Sequence, residues 1–185
     1  MYSITDLKIG TKITLKNDPF VVLKYDHIKM GRGGAVVKAT VKNLRTGQVL
    51  IESFSGSEKV EPADILLKKA QYTYNDGDTY YFMDQETFDQ FEFSKDFLGD
   101  TIYFLLEGQD VDAMYYNGNA INVSVKPKVE LKVVDTPPGV KGDTATGGSK
   151  PATMETGLVV TVPLFINIGD TLRINTETMS YVERA

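Results

Sequence analysis

Along most of this chain, apolar and polar residues alternate with a period of two. Lys12-Ile-Thr-Leu-Lys alternates cleanly, and Phe20-Val-Val-Leu-Lys-Tyr reads as a buried strand. Ala35-Val-Val-Lys-Ala-Thr-Val-Lys-Asn-Leu is rich in β-branched residues throughout. Successive side chains of a strand point to opposite faces, so this pattern sets one face on a core and the other in water. Turn-forming clusters punctuate the runs: Lys16-Asn-Asp-Pro, Gly31-Arg-Gly-Gly, Arg45-Thr-Gly, Asn75-Asp-Gly-Asp and Tyr116-Asn-Gly-Asn. Asn-Gly and Asp-Gly supply the positive φ that tight hairpin loops require. Only Lys95-Asp-Phe-Leu-Gly and its continuation Thr101-Ile-Tyr-Phe-Leu-Leu-Glu can hold a short helix. The pattern predicts an all-β protein of barrel or sandwich architecture.

Two seams interrupt it. Glu61-Pro-Ala-Asp-Ile follows the first set of strands, and Lys126-Pro-Lys-Val precedes the long run Val129-Glu-Leu-Lys-Val-Val-Asp. Boundaries there divide the 185 residues into domains 1–62, 63–127 and 128–185. Each piece is close to the lower limit for a self-supporting core, so the first two are expected to share an interface. The hairpin rhythm of the second and third suits small five-stranded barrels of the OB type.

Composition narrows the chemistry. With no cysteine there is no disulfide framework, thiolate metal site or cysteine nucleophile. A single histidine, His27, removes His-rich metal centres and leaves little room for a Ser-His-Asp triad. No apolar run is long enough to span a bilayer, and the first residues lack a secretory layout, so a cytoplasmic protein without a membrane partner is expected. The net charge of −5 is uneven. Residues 1–62 carry ten basic and six acidic groups, residues 63–127 four and twelve, and residues 128–185 six and seven. A basic head and an acidic middle suggest that only the head meets a polyanion.

Two segments stand out as candidates for contact. In Lys29-Met-Gly-Arg-Gly-Gly-Ala, three glycines surround one arginine between strand-like runs. Such a tip is either an ordinary glycine-rich turn or a thin finger that brings a guanidinium to phosphate or base. It does not fit a nucleotide-binding loop, which needs a helix to follow. Lys141-Gly-Asp-Thr-Ala-Thr-Gly-Gly-Ser-Lys is either a solvated connection or a loop whose N–H groups lie against a phosphate chain. Tyr72, Tyr74, Tyr80, Tyr81, Phe82, Phe88, Phe91 and Phe93 crowd the middle piece, interleaved with carboxylates that would repel nucleic acid; core packing is the better reading. No pair of carboxylates completes a calcium-loop spacing, and nothing singles out one pair as the two acids of a glycoside hydrolase. The residues form no catalytic constellation, and no enzyme activity, metal or cofactor is expected.

Taken together, these segments resemble the bacterial translation elongation factor P family over essentially the whole chain. Lys29-x-Gly-Arg-Gly-Gly-Ala with Leu44-Arg-Thr-Gly is similar to the family's tip loop and the strand after it. Tyr72-Thr-Tyr-Asn-Asp-Gly-Asp with Tyr80-Tyr-Phe-Met-Asp-Gln-Glu-Thr-Phe resembles its middle hairpin. Lys150-Pro-Ala, Gly157, Val160, Val162-Pro163, Ile166 and Gly169 match its C-terminal signature at every fixed spacing. The resemblance implies three small β-barrels, an N-terminal SH3/KOW-like barrel followed by two OB folds, in an L-shaped, tRNA-like arrangement. It implies a monomer that binds the 70S ribosome beside peptidyl-tRNA, stimulates peptide-bond formation and relieves stalling at consecutive prolines. By the same resemblance, Lys29, Gly31, Arg32, Gly33 and Gly34 contact the acceptor end of peptidyl-tRNA. Gly142, Asp143 and Thr144, with Tyr181 and Arg184, face the small subunit, the mRNA and the tRNA.

Many members carry lysine where this chain has Arg32, and an arginine branch receives a rhamnose there. Arg32 is therefore either the target of an arginine-directed rhamnosyltransferase or active unmodified. The flanking Gly33-Gly34 is closer to the lysine type. A paralogous branch also has arginine at its tip, but the intact Gly142-Asp143-Thr144 favours the standard factor. Outside the family, the alternative is a general OB-fold module for single-stranded nucleic acid.

Overall fold

The β-branched runs form strands that bury alternate side chains. The computed structural model describes residues 1–29, 35–55, 57–139 and 148–185. Its first sheet contains β1 (Tyr2–Ser3), β2 (Lys12–Leu15), β3 (Asp18–Lys29), β4 (Ala35–Asn43), β5 (Val49–Ser55) and β6 (Lys59–Pro62), in the spatial order β1-β6-β2-β3-β4-β5. Val37, Ala39 and Val41 of β4 point inward, while Lys38 and Lys42 beside them are exposed. A bulge at Leu23 in β3 shifts the inward register, so Phe20 and Val22 are followed on the core side by Tyr25.

The second sheet contains β7 (Ile65–Asn75), β8 (Thr79–Asp84), β9 (Gln90–Ser94), β10 (Asp110–Tyr116) and β11 (Asn119–Ser124), ordered β11-β10-β7-β8-β9. A single helical turn α1 (Lys95–Leu98) and a 3₁₀ segment (Gly99–Phe104) follow β9, where the sequence allows a helix. Ser94 caps α1 by accepting from the Phe97 N–H. The third sheet contains β12 (Lys128–Asp135), β13 (Ser149–Met154), β14 (Val159–Pro163), β15 (Thr171–Asn175) and β16 (Ser180–Arg184), ordered β14-β13-β12-β15-β16. Two of the three sheets curl into barrel-like form.

By packing density the chain divides into two units. The first comprises residues 1–68 and 113–123. Its main core is Ile4, Leu7, Ile13, Phe20, Val22, Val37, Ala39, Val41, Phe54 and Val60. A smaller cluster of Ala63, Tyr116 and Ile121, with Leu44, Ile65 and Met114, joins β11 and the end of β10 to the first sheet. Tyr116 Oη lies 3.2 Å from Thr14 Oγ1, and Asn122 Nδ2 donates to the Leu44 carbonyl. The second unit comprises residues 69–112 and 124–185. Phe104 of the 3₁₀ segment enters its core beside Leu131, Met154, Ile166, Leu172 and Ile174. Among the described residues, no helix is long and apolar enough to cross a membrane.

Candidate functional site

The longest hairpin in the molecule carries the arginine segment. β3 and β4 pair from Phe20↔Asn43 to Lys29↔Ala35, whereas β2 supports only the base of β3, from Asp18 to Val21. Beyond Val22, β3 has β4 alone beside it, and β5 flanks β4 out to Val36. The arms therefore form a stalk, described as far as Lys29 on β3 and Ala35 on β4. Gly31, Arg32, Gly33 and Gly34 lie outside the described residues, and Lys29 is the last residue of β3. His27 stands opposite Val37, one more rung of the stalk.

Several cations of this unit are held by exposed ion pairs: Lys24 with Asp26 at 3.3 Å, Arg45 with Asp18 at 3.3 Å and Lys16 with Glu52 at 3.5 Å. Exposed pairs of this kind are worth about 0–1 kcal/mol, so they exchange readily for other anions.

In the third sheet, the loop that contains Gly142, Asp143 and Thr144 lies outside the described residues, but its neck does not. A β-carbon on Gly139 would lie 2.3 Å from the Leu164 carbonyl oxygen, and one on Gly148 would lie 2.9 Å from Leu164 Cδ1. Both ends of the loop thus pass so close to Leu164 that Gly139 admits no side chain without a backbone shift. Lys150 closes the neck from inside. It sits in the inward register of β13 opposite Val162, is only 6% exposed, and donates through Nζ to the Pro137 carbonyl at 2.7 Å. Thr136 Oγ1 donates to the Pro151 carbonyl beside it. Lys150, the second of the two lysines that bracket the loop in sequence, is consumed within the fold, because its register on β13 turns it inward.

Tyr181 and Arg184 share strand β16 but differ in setting. Tyr181 lies opposite Ile174 and packs partly into the core, while the Arg184 side chain is 55% exposed, with Asp170 4.0 Å away. Between them in space, Arg173 of β15 donates to Glu183 at 2.5 Å and to Glu130 at 3.0 Å across its two neighbouring strands. Those carboxylates, Glu130 first, push the guanidinium further above its ordinary value.

Most of the C-terminal signature is structural. Ala152, Val160, Val162 and Ile166 are buried with Lys150, and Gly157 and Gly169 hold φ of +85° and +92° in turns.

The middle sheet uses its rings on itself. Tyr72 and Phe82 are buried; Tyr72 stacks on Tyr80, Phe82 on Phe91, and Phe93 on Phe97. Burial pushes the Tyr72 hydroxyl up, although Asn75 donates to it. Asp76, in the β7–β8 turn, accepts from the Thr79 and Asp78 N–H groups and from Tyr81 Oη. The Thr79 N–H, foremost among these, holds its carboxyl below the usual value, and the bond to Asp76 raises that of Tyr81. Phe88 departs from the pattern: it is 70% exposed. Among the described residues, no group of three or more His, Asp or Glu is placed to hold a metal.

This arrangement of three sheets has counterparts among solved structures. The solved structure of eukaryotic translation initiation factor 5A from Methanococcus jannaschii superposes with a TM-score of 0.55 and 21% identity, over 66% of this chain and 92% of that one. A translation initiation factor 5A family protein from Naegleria fowleri gives a TM-score of 0.50 at 15% identity, over 67% and 96%. The sequence goes further than the fold. Family models described as the elongation factor P KOW-like domain, OB domain and C-terminal domain match residues 3–60, 66–123 and 129–184. Elongation factor P of Moorella thermoacetica is 47% identical over 185 residues, and that of Carboxydothermus hydrogenoformans 45% over 184, each with 100% of both chains covered. The chain belongs to the elongation factor P family of translation factors.

Proposed function

We propose that this protein binds the 70S ribosome beside peptidyl-tRNA and stimulates peptide-bond formation where consecutive prolines stall it. The observation that carries the reading is the β3–β4 stalk, whose two arms are described to Lys29 and Ala35, with the glycine-flanked Arg32 between them in sequence. Proline's ring fixes φ and constrains the end of the nascent chain, so the reacting groups meet poorly. A factor that holds the acceptor end in a productive geometry lowers the entropic part of the barrier without a nucleophile or base of its own. About 3 kcal/mol gained this way corresponds to roughly a hundredfold in rate. Lys29, Gly31, Arg32, Gly33 and Gly34 are assigned to the acceptor end. Gly142, Asp143 and Thr144, with Tyr181 and Arg184, are assigned to the small subunit, the mRNA and the tRNA. An arginine-directed rhamnosyltransferase is the enzyme that would modify Arg32. The working domains are 1–62, 63–127 and 128–185.

The middle sheet argues against a general single-strand binder, since Tyr72, Phe82 and Phe93 are stacked on neighbouring rings and the exposed Phe88 lies among carboxylates that would repel a phosphate chain. The test is sedimentation with purified 70S ribosomes carrying peptidyl-tRNA, alongside a filter assay with random single-stranded RNA. A basic excess confined to one domain supplies few phosphate contacts, so the first should bind and the second should not at physiological salt. Nanomolar binding to free RNA with none to ribosomes overturns the reading.

A further inference from the structure

One turn design closes a hairpin in each of the three sheets, at residues 43–48, 84–89 and 175–180. In each, an Asn or Asp accepts at one side-chain oxygen from the N–H groups two and three residues on: Asn43 from Arg45 and Thr46, Asp84 from Glu86 and Thr87, Asn175 from Glu177 and Thr178. The fourth position is Thr in all three. The fifth has positive φ: +75° at Gly47, +62° at Phe88 and +50° at Met179.

Gly47 shows the unstrained solution within this same chain. Position 88 instead holds a large aromatic side chain in a conformation that L residues resist, and that side chain is 70% exposed. The turn is otherwise rigid, with Asp84 buried, the Phe88 N–H bonded to the Asp84 carbonyl and the Asp84 N–H to that of Asp89. The fold gains little from the ring and strains to present it. Strain kept at an exposed position is a sign of use.

The surroundings select the user. The segment from 79 to 94 contains Asp84, Glu86, Asp89 and Glu92 and no Lys or Arg. Gln85 donates to Asp110, and Lys69 pairs with Asp112. Carboxylates here repel a phosphate chain and attract a cationic protein. We propose that Phe88 is the anchor of a protein-docking surface: its ring enters an apolar pocket on a basic protein, and Glu86 and Asp89 meet that protein's cations. A rigidly held aromatic within a charged rim is the usual form of such an anchor. The inference rests on the ribosome reading above, and commits the partner to a basic protein of the ribosome rather than its RNA.

Two variants, Phe88→Gly and Phe88→Asn, test it against wild type in thermal melts and in binding to purified 70S ribosomes. Melting temperatures should hold or rise, because both residues accept positive φ, while ribosome affinity should fall about tenfold or more. A melting temperature lowered by more than about 4 °C would make Phe88 a packing residue and overturn the proposal. If wild type binds and both variants bind equally well, this proposal alone falls; if wild type does not bind, the ribosome reading falls with it. Replacing Phe88 with photoreactive p-benzoyl-phenylalanine decides the partner class. A crosslink to a basic ribosomal protein supports the assignment, and a crosslink to RNA, or none, overturns it.

Discussion

Lys150 shows how much a single register decides. On β13 it alternates with Ala152 and Met154, so its stem enters the barrel while its ammonium reaches the Pro137 carbonyl at the neck of the 140–147 loop. Charge-assisted bonds of this sort contribute more than neutral ones, and their loss leaves the neck open. Lys150→Met should therefore lower stability by about 1–3 kcal/mol in urea titration, with the barrel still folded. No loss would mean that the neck is held by the glycines against Leu164 alone. The same reasoning separates recognition from function. Gly157, Val160, Val162 and Ile166 identify the family because the barrel needs them, as turn and core. Arg32, by contrast, is flanked by glycines that offer it no packing partner in sequence, so Arg32→Ala should change stability by less than about 0.5 kcal/mol.

At the scale of elements, the hairpins were the most legible part of the sequence. Lys16-Asn, Arg45-Thr-Gly, Asn75-Asp-Gly-Asp and Asn117-Gly118 all close hairpins, because Gly and Asn announce positive φ. The turns at residues 84–89 and 175–180 were not legible, since Phe88 and Met179 occupy the position where a glycine would have given them away. Their Asn/Asp-x-x-Thr spacing was the available signal. The inward turn of Lys150 was hidden too, because a polar residue next to a polar loop reads as solvated unless the register is known. The stalk itself could be read from β-branched runs on either side of the glycines, though its length beyond β2 could not.

Turn chemistry also gives the element scale its pH dependence. Asp76 has its carboxyl held below 3.8 in the folded protein, chiefly by the Thr79 N–H. A depressed folded value contributes stability above the ordinary value, and that contribution is lost as pH falls through the lowered one. Asp76→Asn keeps an acceptor oxygen but no titrating charge. The stability gap between wild type and Asp76→Asn should be present at neutral pH and should close below about pH 4. A gap independent of pH would contradict this.

At the scale of the whole molecule, the uneven charge acquires a use. The first 62 residues hold the basic excess and the stalk, while residues 63–127 hold the acidic excess and the exposed Phe88. In the proposed function the basic end meets RNA and the acidic middle meets cationic protein, so the factor docks on a mixed surface without binding free RNA tightly. The polar loop should contribute contact and not core. Replacing Gly142, Asp143 and Thr144 together with alanine should weaken stimulation of translation while leaving the melting temperature nearly unchanged. A large drop in melting temperature would assign that loop to the fold instead.

The central claim is that this protein accelerates proline–proline bond formation through the tip of its first hairpin. Its most direct test is synthesis of a Pro-Pro-Pro peptide by purified ribosomes, compared without the protein, with wild type and with Arg32→Ala, each protein added in its native modification state as defined by intact mass. Wild type should raise the rate severalfold or more, and Arg32→Ala should lose most of that gain at unchanged stability. Equal rates with wild type and Arg32→Ala would contradict the tip assignment, and equal rates with and without the protein would contradict the function itself.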